Sequence, residues 1–201
     1  MITMQELIIA MPLAMMLLAL LVHTLVSSSR RTAQLTAQAQ MQETATFILQ
    51  RIENELATTP AAGVGILHPE SPSDPTAISL NRLATVDASG LRTYEDGLVL
   101  YVFDPTRKTL VMREFDDAPA GLEMSPIEGF RPGCGDLKRL ATQTSPSSRL
   151  LASGVAEFKV TSDAPTGHVG SPLTLRLVLE RNAIPGQKEV ETMERTFTLR
   201  N

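Results

Sequence analysis

The longest apolar run in the chain stands at its start. From Leu7 to Val26 the sequence reads LIIAMPLAMMLLALLVHTLV, twenty residues in which only His23 and Thr24 are polar. At about 1.5 Å per residue this segment spans roughly 30 Å, the thickness of a bilayer's hydrocarbon core. Glu6 lies at its mouth and is the only formally charged side chain between Met1 and Ser29. A carboxylate held against lipid is costly, so it usually has a partner. Nothing basic precedes the run, and the run is long enough to span, so it reads as an anchor rather than a cleaved secretory signal. Ser27-Ser28-Ser29 is its only small-residue exit.

Beyond Arg30-Arg31 the pattern changes period. TAQLTAQAQMQETATFILQRIENELATT contains no Gly or Pro and is rich in helix formers. Met41, Ala45, Ile48, Ile52 and Leu56 recur at helical spacing and predict one apolar stripe, widened by Phe47 and Leu49. Gln42, Glu43, Gln50, Arg51 and Asn54 fall opposite. No breaker separates this stripe from the apolar run. The two therefore predict one continuous helix from Thr3 to Ala57, about 80 Å long. Thr58-Thr59-Pro60 and Gly63 supply the stop.

From residue 58 onward prolines and glycines recur between β-rich runs. His68–Pro75 reads as a loop and Ala77–Val86 as a weak strand. Leu98–Asp104 and Lys108–Phe115 flank Pro105-Thr106-Arg107 and predict a hairpin. Residues 116–149 contain DDAPAG, SPIEG, RPGCG and SPSS and predict irregular structure. Gly154–Ser162, Pro172–Arg181 and Val190–Asn201 predict three closing strands. In the second of these Leu173, Leu175, Leu177 and Leu179 alternate with other residues, as in a half-buried antiparallel strand. The expectation is an α+β chain with two parts. Residues 1–57 form a long helix with a membrane segment at about 7–26, and residues 58–201 form a β-rich head. The helix stripe is the natural cover for the sheet's apolar face. The bare half of the helix then needs a membrane, or other helices of its kind.

Composition narrows the function classes. Over 201 residues the net charge is −4, and the only adjacent basic pairs are Arg30-Arg31, Arg107-Lys108 and Lys138-Arg139. No basic stripe suggests nucleic-acid binding. Cys134 is the single cysteine, which excludes an internal disulfide and a multi-cysteine zinc site. Trp is absent, so no platform for stacking bases or sugars is expected. Arg30-Arg31 follows the span and nothing basic precedes it, which by the positive-inside rule places the C-terminal side in the cytoplasm. Either that orientation holds, or a basic leader has been lost from the N-terminus.

Candidate chemistry is thin. His23 lies near the end of the span, where a solvated or helix-facing role outweighs a proton relay. His68 and His168 sit in Pro/Gly-rich loops without ligand spacing. Cys134, in Pro-Gly-Cys-Gly, has no base or oxyanion site in recognisable spacing. Glu95-Asp96 and Asp116-Asp117 lack the alternating pattern of a calcium loop and read as solvated turns. Gly63-Val64-Gly65 is not followed by the strand-to-helix context of a phosphate loop. The expectation is a protein without catalytic residues, metal or cofactor.

The opening TMQELIIAMPLAMMLLALLV resembles the N-methylation segment of type IV pilins and type II secretion pseudopilins. In that family a membrane peptidase cuts after a leader glycine, the new first residue is methylated, and a glutamate occupies the fifth mature position. With Ile2 as the mature start, Thr3 and Glu6 match the second and fifth positions, and Met1 stands at the leader-glycine position. The long helix, the β-rich head and the ending RTFTLRN agree with a minor pilin or minor pseudopilin of the PilW or GspJ type. Two features depart from the pattern. No basic leader precedes Ile2, which implies a processed or re-started N-terminus and would also resolve the conflict over Arg30-Arg31. Pro12 comes earlier than the family's usual proline and implies a kink.

The resemblance implies a pilin-like fold and a place in the inner membrane, with a single pass and the head outside the cytoplasm, followed by assembly into a filament. Glu6 would pair with the positively charged N-terminus of a neighbouring subunit, favouring one register of stacked helices. The implied partners are other pilin or pseudopilin subunits, the prepilin peptidase, the lipid bilayer, and an assembly platform whose ATPase is a separate protein. The rival expectation is a membrane-anchored periplasmic scaffold that binds partners through its head and never polymerises.

Overall fold

A computed structural model describes residues 4–117, 119, 133–143, 147–162, 169–184 and 187–199. Helix α1 runs unbroken from Met4 to Thr58, 55 residues, and continues through Pro12. Its end has a local cause. The Thr58 and Thr59 hydroxyls both donate to the Glu55 carbonyl, each at 2.9 Å, and Pro60 has no N–H with which to extend the ladder. A single 3-10 turn, Ala61–Gly63, then leads into the head.

The predicted stripe on α1 is the face that packs. Met41, Ala45, Ile48, Ile52 and Leu56 are buried, joined by Ala37 and Leu49. Phe47 does not belong to it. One residue is about 100° of rotation on a helix, and with Ile48 turned inward Phe47 is 51% exposed on a different face.

Among the described residues the head holds ten strands: β1 (Val64–Leu67), β2 (Thr76–Leu80), β3 (Leu83–Val86), β4 (Arg92–Tyr94), β5 (Leu98–Asp104), β6 (Thr109–Phe115), β7 (Ser147–Ser153), β8 (Val155–Ser162), β9 (Leu173–Ile184) and β10 (Gln187–Phe197). Instead of a single sheet they form two larger antiparallel sheets and a ribbon. One sheet has the order β1-β2-β5-β6-β7, the second β10-β9-β8, and β3-β4 form the ribbon. The predicted strand Ala77–Val86 is divided because Asn81 leaves the ladder. Fully buried, it donates to the Glu95 and Gly97 carbonyls at 2.8 Å each.

Strand β5 explains the layering. Leu98, Leu100 and Val102 point to one face, and Val99, Tyr101 and Phe103 to the other, and all six are buried. The second set joins α1 and the three-stranded sheet in the main core. The first set is covered by α2 (Cys134–Thr142), through Leu137, Leu140 and Ala141. The expectation of irregular structure over 116–149 is thus corrected in part, since the segment contains α2 and the first residues of β7. Arg113 on β6 holds α2 in place. Its guanidinium donates to the carbonyls of Leu140 (3.0 Å), Ala141 (2.8 Å) and Gln143 (2.5 Å), the open C-terminal end of that helix. Burial pushes Arg113 below the ordinary arginine pKa.

The two large sheets meet at Gly154. Its φ of +73° is a conformation that side chains resist, and a Cβ there would lie 2.5 Å from the Glu180 carbonyl oxygen. Glu180 N–H donates to the Gly154 carbonyl at 2.7 Å. Only glycine lets the chain turn this corner from β7 into β8. On β9, Leu173, Leu175, Leu177 and Leu179 face inward as predicted, and α1 packs across β9 and β10.

Candidate assembly surface

The two halves of α1 live in different environments. From Met11 to Val26 the large apolar side chains are bare, with Met16 76% and Leu18 66% exposed. They point in every direction around the helix, so no single partner face satisfies them. Among the described residues this is the one helix long and apolar enough to cross a membrane, with a mean hydropathy of 1.9 in its most apolar stretch and none of that stretch buried. Hydroxyls near its end do not spoil its apolar character. Thr24 donates to the Leu21 carbonyl at 2.8 Å and Ser27 to the Thr24 carbonyl at 3.0 Å, so their donors are met within the helix itself.

Higher up, polar staples fix α1 to the head. Gln34 donates to Gln187 at 2.8 Å, and Arg181 donates to Gln40 at 2.5 Å. Arg195 pairs with Glu53 at 2.9 Å. The strongest is Arg82, on the link between β2 and β3, which grips Glu55 with two bonds of 2.6 and 2.8 Å. Its fork also reaches Glu114 at 3.2 Å and Glu95 at 3.9 Å. Hydrogen bonding to Glu55 raises Arg82 above the ordinary arginine pKa against the opposing effect of burial. Beneath it Tyr101 is fully buried, and burial raises its phenol above the ordinary tyrosine range. Neither the Tyr101 hydroxyl nor the Arg51 Nε meets a partner at hydrogen-bond geometry.

The residues singled out in the sequence fall as follows. Met1 and Ile2 lie outside the described residues. Glu6 is on the α1 backbone, but its side chain lies outside the description. Pro12 is within the helix. His23 is exposed on the bare segment and His68 on a loop, while His168 lies outside the described residues. Cys134 is the first residue of α2, and its side chain is also outside the description. Glu95, Asp96, Asp116 and Asp117 are exposed, and the first, second and third of these line a cleft of about 340 Å³ beside Arg82. Among the described residues no group of three or more His, Cys, Asp or Glu side chains is placed to hold a metal ion. Arg82 was not legible as a hub, because its three carboxylate partners are 27, 13 and 32 residues away in the chain.

Comparison with family models, with curated proteins and with solved structures finds no match for this chain. Fold and surface together define an α+β protein with one long N-terminal helix over antiparallel sheets. That helix is stapled to the head at one end. At the other it is apolar, uncovered and long enough to span a membrane.

Proposed function

We propose that the chain is a structural subunit, a minor pilin or minor pseudopilin, of a type IV filament or type II secretion pseudopilus. The observation that supports this reading is the division of α1. An all-round apolar rod, rigidly continuous with a folded head, suits a subunit that first rests in lipid and later exchanges lipid for neighbouring helices. In this reading a prepilin peptidase exposes Ile2, which is methylated, and the head lies outside the inner membrane. Glu6 pairs with the amino terminus of the next subunit. A separate ATPase with its platform drives extraction from the bilayer, and the chain carries out no catalysis. The resemblance over residues 2–26 supplies the family-level part of the proposal.

The test is Glu6→Ala in the full chain, expressed in its native cells. Removing one partner of a buried ion pair costs about 3–5 kcal/mol, so the chain in the sheared-filament fraction should fall by more than about a hundredfold. Its amount in the membrane fraction should not change, because the span remains. Unchanged filament incorporation would contradict the proposal and fit an anchored scaffold that never polymerises.

A further inference from the structure

The β9–β10 hairpin reaches down α1 toward the bare segment and leaves a groove between itself and the helix. Leu25, Ser28, Ser29 and Thr32 of α1 line one wall, and Asn182 and Ala183 of β9 the other, around a cavity of about 660 Å³. That volume is within the range of small-ligand sites. Two bonds fix the shape of the groove. Arg181 to Gln40 bridges its walls at the upper end, and Gln34 to Gln187 holds the start of β10 against the helix. At its lower end the groove begins on the apolar run itself, at Leu25. Val26, the last residue of that run, lies eight residues before Gln34, about 12 Å along the helix axis. A headgroup layer is roughly 5–8 Å thick on each side of the hydrocarbon core. With the run in a membrane, that layer takes in Ser27 to Arg31, and the end of the hairpin stands just above it.

The positive charges at this level have no counter-charge in the chain. Arg30 and Arg31 are exposed, and among the described residues neither forms an ion pair. Arg30 precedes Gln34 and Ala37 by steps of four and three, so it shares the helix face that the head covers and lies beneath the hairpin. The next carboxylate along α1 is Glu43, about 18 Å beyond Arg31. That separation exceeds the screening distance of about 8 Å at physiological salt. No carboxylate lines the groove. On the strands above, Glu180 is held by Lys108 and Lys188, and Glu189, opposite Arg181 in the β9–β10 ladder, is not a lining residue. A chain with a net charge of −4 thus carries a positive foot.

We infer that this groove binds the phosphate headgroup of an anionic phospholipid. Arg30 and Arg31 supply the counter-charge, the exposed Ser28 and Ser29 hydroxyls supply hydrogen-bond donors, and the hairpin forms the outer wall. Two observations choose that occupant. One is positive charge at a groove without acid. The other is continuity with the apolar run, since a lipid's acyl chains continue past Leu25 along the bare helix and a free anion's cannot. A headgroup held there sets how deeply the helix sits and keeps the head from tilting. The inference rests on α1 spanning a membrane and is independent of whether the chain polymerises. It also gives Arg30-Arg31 a partner on whichever side of the bilayer they lie.

Native mass spectrometry tests it on the full chain, released from nanodiscs that hold phosphatidylglycerol and phosphatidylcholine in equal amounts. The ratio of the two lipids retained on the chain is the readout. Each juxtamembrane arginine is worth about fivefold in affinity for an anionic lipid, so phosphatidylglycerol should be preferred by on the order of thirtyfold. Arg30→Gln/Arg31→Gln should remove the preference. Asn182→Glu keeps both arginines and places a carboxylate on the opposite wall, so it should lower the preference about fivefold. The melting temperature of that variant should stay unchanged, because Asn182 is exposed. Equal retention of the two lipids by the unaltered chain would overturn the inference. A preference untouched by Asn182→Glu would also overturn it, because the arginines would then act without the groove. Either result leaves the filament reading, tested at Glu6, standing. Failure of the chain to enter nanodiscs would contradict the membrane span and the inference together.

Discussion

Ile52→Ala is expected to lower the stability of the head by about 3–4 kcal/mol, near the upper range for truncating a buried aliphatic side chain. Ile52 is completely buried on the packed face of α1, in the core it shares with Tyr101, Leu175 and Leu177. Helix, five-stranded sheet and three-stranded sheet all contribute to that core, so no single element can move inward to fill the cavity. The control lies five residues away. Phe47→Ala removes a larger side chain from the same helix but should cost no more than about 0.5 kcal/mol, since it is exposed. Urea denaturation followed by circular dichroism measures both. Equal losses at the two positions would mean that the packed and open faces of α1 have been assigned wrongly.

Arg82→Ala is the second large effect, with an expected loss of about 2 kcal/mol. Breaking a fully buried ion pair costs about 3–5 kcal/mol, but the Arg82 side chain is 32% exposed and water screens part of the interaction. Glu55 is the more buried partner, at 15%, and would be left beside Glu114 without its counter-charge. Glu55→Gln in the Arg82→Ala background should therefore recover part of the loss. A double-mutant cycle should give a coupling above about 1 kcal/mol. Additive single losses would show that the fork of Arg82 does not hold α1 to the head.

Where sequence reading succeeded, the signal was local and periodic. The helix was expected from Thr3 to Ala57 and runs from Met4 to Thr58, because one stripe and one proline stop settle it. The β5–β6 hairpin and the three closing strands followed from alternation and turn residues. What stayed hidden depends on distant partners. Strand β1 was passed over beside Gly63-Val64-Gly65, since four residues gain strand character only by pairing with β2. Helix α2 was hidden among glycines and prolines, with nine residues and one narrow apolar face. Its trace was in β5, where LVLYVF is apolar without alternation, the mark of a strand covered on both faces. Such a run required a second cover, and only the 116–149 region was left to supply it. Phe47 was misplaced because a single residue's offset on a helix is invisible when its neighbours Ile48 and Leu49 are apolar too. The bare segment was fully legible from composition. The pairing proposed for Glu6 rests on the resemblance of residues 2–26 to the pilin N-methylation segment, as the Glu6 side chain is not among the described residues.

The most direct measurement is electron cryomicroscopy of the assembled form in which the chain occurs. The predicted result is residues 11–26 packed against the helices of neighbouring subunits at axis separations of about 8–10 Å, with the Glu6 carboxylate within about 4 Å of a neighbour's N-terminal amine. A map in which each such helix stands alone, ringed by acyl chains and touching no other subunit, would contradict the account.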